Sequence, residues 1–538
     1  MMHNEMRGMS AKRVMSRRRM LAGLAGGAVT AILAACGSDA SATNTSAPAA
    51  PTTGSAGATN AATVKPAASP AASAASAASG SVAATGATAP AAATAAPAGM
   101  ATTAASAAPM TASTTGGAVA ASPTPLKTMG TVTLEVWGGV PPETGPGDLV
   151  AAFSKAYPNI KVNYTRFVND DTGNTKLDTA LQGGTPIDLY FSYDVPRMGQ
   201  RIKAGVAEDL TPYIAADSAI KQWTDGTKGI FQSQNKYFSL PTTREPNYIF
   251  INKKLADAAG AKAPDKWTLD EFRAMAKMLA SGSGDKRVYG TYLLGPTSPD
   301  IAQETLGPNR WYKPDGSASN FDHPAFKMGL EFNRGMLDEK SAFPWQEVLA
   351  QNLRAYSQNP FLDGQVVMWP SSSFSLRYVN DKMMYPHDFV TTFAPLPTPV
   401  GASPAYNLGS INNWLMMQPK TKNKDAAWAF TRYWLTDGAQ YMLKAGKVPA
   451  FPGTDPEVVI NGILGPDKDK LYDAAAYKKV VFDPGINLVT DTITTAGAEI
   501  LKLVTDTTDR YYIGEISYDQ WLMTVKTQAD DAIKKAKA

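Results

Sequence analysis

Residues 37–126 contain no aromatic side chain and only two charges, Asp39 and Lys65. The stretch is almost wholly Ala, Thr, Ser, Pro and Gly. Alanine favours helix, but Pro, Gly, Ser and Thr interrupt it throughout. Such a segment buries too little apolar surface to offset the entropy of ordering it. It reads as a disordered tether whose root-mean-square reach, as a flexible coil, is about 50–60 Å. The folding information of the 538-residue chain is therefore confined to residues 127–538, which is ample for a large core.

What precedes the tether reads as an address and an anchor. Ser16-Arg17-Arg18-Arg19-Met20-Leu21 is a twin-arginine pattern ahead of an apolar run, Leu21 to Ala35. The run is shorter than the roughly 20 apolar residues that span a bilayer, and suits the apolar region of a signal peptide. It ends in Leu33-Ala34-Ala35-Cys36-Gly37, which resembles the lipobox of bacterial lipoproteins. The resemblance implies that residues 1–36 are a twin-arginine lipoprotein signal. Cys36 would be lipidated and would hold the protein at the outer face of the cell membrane.

Charge and composition exclude several classes. The formal net charge is +4, but six of the 51 basic residues and one of the 47 acidic residues lie before residue 20. That leaves 45 basic and 46 acidic residues in the rest, which is no footprint for nucleic acid. The single cysteine rules out an intrachain disulfide and a cysteine-based zinc site. With three histidines, His3 among them in the leader, a histidine cluster is nearly excluded.

Strands and helices alternate in the globular part. Val132, Leu134 and Val136 alternate with Thr133 and Glu135, predicting a strand. Leu149, Ala152, Phe153 and Ala156 share one helical face, which Pro158 ends. Ile160, Val162 and Tyr164 predict a second strand, residues 176–181 a second helix, and residues 186–191 a third, buried strand. Thr268 and Glu271 form a capping box ahead of Phe272, Met275, Ala276 and Leu279. Tyr518, Trp521, Leu522, Val525 and Ala529 mark a late helix. This repetition predicts an α/β fold with a mostly parallel sheet covered on both faces.

These segments, taken in order, resemble the extracellular solute-binding proteins of ABC importers, in the large maltose-binding-protein-like family that binds sugars and oligosaccharides. The resemblance covers nearly all of residues 131–538. Its carriers are the opening strand Val132–Trp137, Phe153-Ser154-Lys155-Ala156-Tyr157-Pro158, and Gly183-Gly184-Thr185-Pro186-Ile187-Asp188, where Ile187 separates the family's Pro and Asp. Further carriers are Gly205–Thr211, Leu240-Pro241, Phe250–Leu255, Trp267–Phe272 and Asp363–Trp369, where Val367 replaces the usual alanine. The last is Lys422–Phe430, with Asn423 as the expected N-cap.

The resemblance implies a periplasmic-binding-protein-like fold, with two α/β lobes joined by a hinge and a ligand cleft between them. Lobe one is expected at about 131–243 and 407–453, lobe two at about 244–406 and 454–538. Crossings are expected at 241–246 and 394–407. Ligands of open α/β sheets lie beyond the carboxyl ends of strands. The expected ligand residues are therefore Trp137, Tyr193, Asp194, Arg244, Glu245, Asn247, Trp369, Ser371, Asn412, Asn413 and Trp414. Their polar members suit the rim of a pyranose and their aromatic members its C–H faces. Each tryptophan also fits a core position, Asp194 a surface loop, and Arg244 with Glu245 a pair across the hinge. Trp369 and Trp414 are expected to sandwich a sugar from opposite walls.

No G-x-S-x-G, H-E-x-x-H or P-loop occurs in residues 127–538. Tyr511-Tyr512 resembles the adjacent tyrosines of iron-carrying relatives, but packing accounts for it better. His323 and His387 read as surface loop residues. The expectation is a lipid-anchored, monomeric receptor that hands a sugar or oligosaccharide to a membrane permease, with no cofactor, metal or nucleic acid. Its alternatives are the same fold binding a polyamine, phosphate ester, peptide or iron, and a surface glycan-processing enzyme.

Overall fold

The computed structural model describes residues 130–295, 301–402 and 405–538. The twin-arginine segment, Cys36 and the tether lie outside the described residues. Two sheets organise the rest. The first contains β1 (Val132–Gly138), β2 (Ile160–Arg166), β3 (Leu189–Ser192), β4 (Leu240–Glu245) and β9 (Ser410–Met417), in the order β2-β1-β3-β9-β4. The second contains β5 (Asn247–Asn252), β6 (Tyr289–Thr291), β7 (Val366–Ser372) and β8 (Thr391–Pro395), in the order β6-β7-β5-β8.

Strand directions decide where the sheets can meet. β1 pairs parallel with β2 and β3, and β9 runs antiparallel to both β3 and β4. The carboxyl ends of β1 to β4 thus share one edge with the start of β9. In the second sheet β6 is parallel to β7, and β5 is antiparallel to β7 and β8. The carboxyl ends of β6, β7 and β8 share an edge with the start of β5. Only Pro246 separates β4 from β5, so the two edges are joined at that point. The change of lobe expected at residue 244 comes slightly later, because Arg244 and Glu245 still pair with Ile411 and Ser410 of β9.

Helices α1 (Pro146–Ala156), α2 (Asp171–Gln182), α3 (Val195–Lys203) and α7 (Lys424–Leu435) flank the first sheet. Those of the second lobe are α4 (Leu269–Leu279), α5 (Ile301–Leu306), α6 (Pro324–Asp338), α8 (Ala474–Phe482), α9 (Gly497–Tyr512) and α10 (Tyr518–Lys537). α1 forms where its apolar residues recur at helical spacing, and Leu149 and Phe153 are fully buried. α4 opens on the expected capping box, with both reciprocal bonds between Thr268 and Glu271 made. Asn423 stands at the N-cap of α7, but its side chain makes no capping bond; its amide reaches the Thr133 carbonyl instead. Tyr511 and Tyr512 are buried in α9, and the Tyr512 hydroxyl accepts a bond from Asn333. His323 caps α6 through Nδ1. No helix of the described residues is long and apolar enough to cross a membrane.

Each lobe has its own core. Leu134, Val136, Leu189 and Met416 anchor the first, and Ile249, Phe250, Met368 and Phe393 the second. Trp369 belongs to the second core and does not face ligand. It is 1% exposed, lies opposite Phe250 at 5.0 Å and Phe361 at 5.4 Å, and donates its indole N–H to Ser357. Successive residues Val366 to Trp369 are all buried, so both faces of the strand are covered. Trp369→Ala should cost about 3–5 kcal/mol of folding stability, read as a fall in the denaturant midpoint. A cleft-facing ring would leave the midpoint of the unliganded protein nearly unchanged.

Candidate ligand-binding cleft

The lobes are tied where the chain crosses between them. The Asn407 side chain accepts the N–H groups of Asn247 and Gly409 and donates to the Asn247 carbonyl, binding one crossing to the other. Gly409 lies so close that a Cβ there would overlap the Glu245 carbonyl oxygen, which is why the position carries glycine. A third passage lies alongside β4, through Arg244 N–H to the Val448 carbonyl at 2.9 Å and Ala450 N–H to the Thr242 carbonyl at 3.2 Å. Lys447 on that passage meets Glu245 of β4 at 2.5 Å. Burial lowers the Lys447 pKa, and Glu245 opposes the shift.

Beside this hinge, between the two edges, lies a cavity of about 270 Å3. The first lobe contributes Tyr193, Asp194, Asn412 and Trp414, and the second Gln303, Arg310, Trp311 and Asp491. Asp194 is the N-cap of α3: its carboxylate accepts the Arg197 N–H and pairs with the Arg197 guanidinium, each at 2.8 Å. Asp491 accepts the Asn309 N–H at 2.5 Å and pairs with Arg310 at 3.3 Å. The Arg310 guanidinium also lies over the Trp311 ring, 5.0 Å from its centroid. Tyr193 accepts the Gly139 N–H at 2.5 Å, and burial raises its pKa, so it stays a neutral phenol. The charges on the cavity wall are thus already matched, and its remaining groups are neutral amides, hydroxyls and rings.

Residues 142–441 match the model of the bacterial extracellular solute-binding protein family. The chain belongs to that family. Among solved structures, an ABC substrate-binding protein from Listeria monocytogenes in complex with cycloalternan is similar at 20% identity. The match covers 75% of this chain and 98% of that one, with a TM-score of 0.60. A sugar transporter protein from Rhizobium etli, in an open conformation, matches at 20% identity over 75% of this chain and 99% of that one, with a TM-score of 0.57. The sugar-binding protein MalE of Xanthomonas citri matches at 18% identity over 76% and 98%, with a TM-score of 0.56. These likenesses establish the two-lobed α/β fold of this solute-binding protein.

The cavity gathers four of the expected ligand residues: Tyr193, Asp194, Asn412 and Trp414. Trp414 is only 1% exposed and belongs to the first core, so it backs the wall and offers no free face for stacking. The expected sandwich between Trp369 and Trp414 is therefore not formed. Trp137 sits outside the cavity, with the Lys176 ammonium of α2 5.9 Å from its ring centroid. Ser371 bonds Ser375 at 2.6 Å, and the Arg244 guanidinium bonds the Val481 carbonyl of α8. Arg244 and Glu245 do not pair with each other: Glu245 is held by Lys447 and Asn413. Asn247 and Asn413 serve the hinge. Sequence reading missed Arg310, Trp311 and residues 489–491, which lie in loops without hydropathy periodicity. The turn Gly307-Pro308-Asn309 was the one local signal, and Asn309 does adopt a left-handed φ of 59° there.

Next to Gln303, Glu304 of α5 is 1% exposed, and among the described residues neither carboxylate oxygen has a hydrogen-bond partner. Burial raises its pKa well above the ordinary 4.5. The folded form then keeps a proton that the unfolded chain releases. Its contribution to stability is full below about pH 4.5 and is lost as pH rises toward the folded-state pKa. Glu304→Gln should flatten that decline and raise the melting temperature at pH 8. An identical decline in both proteins would place its origin elsewhere.

Proposed function

We propose that this solute-binding protein is a lipid-anchored receptor that captures a neutral sugar and delivers it to an ABC transporter permease. The observation that carries the ligand class is the matched charge of the cleft. Asp194 is paired with Arg197, and Arg310 with Asp491. A polyamine or a phosphate ester would need an uncompensated charge of the opposite sign. A polyhydroxylated ring needs neutral donors and acceptors, such as Asn412, Gln303 and Tyr193, beside aromatic surface such as Trp311. Fold relatives carrying cycloalternan, α-D-tagatose and D-mannitol support the same class. The cavity of about 270 Å3 lies just below the roughly 300–1,000 Å3 of most small-molecule sites, which favours a short sugar.

Delivery follows from the two lobes. Ligand touching both walls favours the closed form by its difference in affinity between closed and open states, and the permease would read that form. On this reading residues 1–36 are the twin-arginine signal and Cys36 the lipidated residue. Residues 37–126 are the tether that lets the lobes at 127–538 reach a partner, and the receptor is an extracytoplasmic monomer.

A thermal-shift panel of mono- and oligosaccharides tests the ligand class. A sugar at about 100 times its dissociation constant adds about 2.7 kcal/mol of stability, which is a rise of several degrees. A flat response across the panel would remove sugars from the reading and leave the fold untouched. The anchor is tested separately. Cys36→Ser should move the protein from the detergent phase to the aqueous phase while leaving ligand binding unchanged, and retention in the detergent phase would refute lipidation at Cys36.

A further inference from the structure

Between α8 and α9, residues 484–496 form neither helix nor strand, yet they are held firmly to the second lobe. Asn309 accepts the N–H groups of Thr492 and Ile493 at 2.7 and 2.8 Å and donates to the Thr492 hydroxyl. The Tyr312 hydroxyl donates to the Thr495 carbonyl at 2.9 Å. This strap supplies Val489, Thr490 and Asp491 to the cleft cavity.

The outer side of the strap lies against the first lobe, where it meets glycines. A Cβ on Gly199, inside α3, would fall far within van der Waals contact of the Thr494 side chain. Gly229, whose φ of 87° itself calls for glycine, also lies close to the strap, its Cβ position 3.2 Å from Thr490 Oγ1. At the end of the strap, Gly497 opens α9 with its Cβ position 3.4 Å from Pro196 of α3. Thr490 Oγ1 has no hydrogen-bond partner among the described residues. The strap thus meets Gly199 and Gly229 through close fit. Glycine inside a helix weakens it relative to alanine, so α3 itself gains nothing from Gly199. The notch it leaves serves the strap.

We propose that the strap 484–496 is the latch of this receptor, and that Gly199 is the notch on the first lobe that lets it seat. Seating fixes how close the lobes come, and so the population of the ligand-competent form. A side chain in the Gly199 notch would hold the lobes apart while leaving each core intact.

The test reads lobe separation without ligand, so it is independent of the solute being a sugar. Spin labels on the full chain at Lys203→Cys of α3 and Lys535→Cys of α10, in a Cys36→Ser background, flank this junction from the two lobes. Pulsed dipolar spectroscopy should give a longer distance distribution for Gly199→Ala than for the labelled parent. Thr494→Leu, which leaves the first lobe untouched, should lengthen it likewise. Adding Thr494→Gly to Gly199→Ala should return the parental distribution. Near-ultraviolet circular dichroism establishes that each variant is folded. A parental distribution in either folded variant, Gly199→Ala or Thr494→Leu, would overturn the latch, as would a longer one that Thr494→Gly fails to reverse.

Discussion

Glu245 and Lys447 meet in the interior, each less than a tenth exposed, at the point where three passages of the chain cross between lobes. Taking two charges out of water is costly unless the geometry is good and the remaining polar atoms are satisfied. Here Asn413 of β9 donates to Glu245 at 2.9 Å and to Thr243 at 2.6 Å, and the Lys447 ammonium lies 5.4 Å from the Phe374 ring centroid of the second lobe. Asn413 adopts a left-handed φ of 54° inside a strand to do so, a conformation asparagine tolerates better than most residues. Removing either charge would leave the other buried and unpaired. The pair therefore constrains β4, β9 and the third passage together, and the facing of the two sheet edges depends on that constraint.

The cleft inherits its position from strand polarity and its chemistry from loops. The first lobe offers residues beyond β3 and within the start of β9, including the helix cap Asp194. The second lobe offers the turn carrying Arg310 and Trp311, together with the strap. Each charge in the cavity is paired within its own lobe, Asp194 with Arg197 and Arg310 with Asp491. The wall therefore presents neutral donors, acceptors and rings. The strap that lines the cavity also brings the lobes into contact.

The α/β alternation, the strands at 132–138 and 160–166 and the capping box at Thr268 were legible in the sequence, because each is a local pattern of hydropathy or a local hydrogen bond. The family was legible too, because its segments occur in a fixed order along the chain. The tryptophans were not. A ring near the end of a strand satisfies the same pattern whether it points to core or cleft, and β7 is covered on both faces, so alternation carries no information about Trp369. Arg244 and Glu245 are neighbours in sequence, yet strand alternation sends them to different partners, Val481 and Lys447.

Composition alone led to the expectation that the folding information lies after the Ala/Thr/Ser/Pro-rich tract. By itself the sequence also determined that the fold is a two-lobed α/β receptor of the solute-binding family. The α/β class follows from periodicity and the two-lobed fold from the family resemblance that segment order carries, both written along the chain. Which residues line the cavity, which tryptophans are buried, and the contact of Thr490 and Thr494 with glycines of the other lobe come from packing. Those contacts join residues hundreds of positions apart, and packing across the hinge, which no local pattern encodes, sets them.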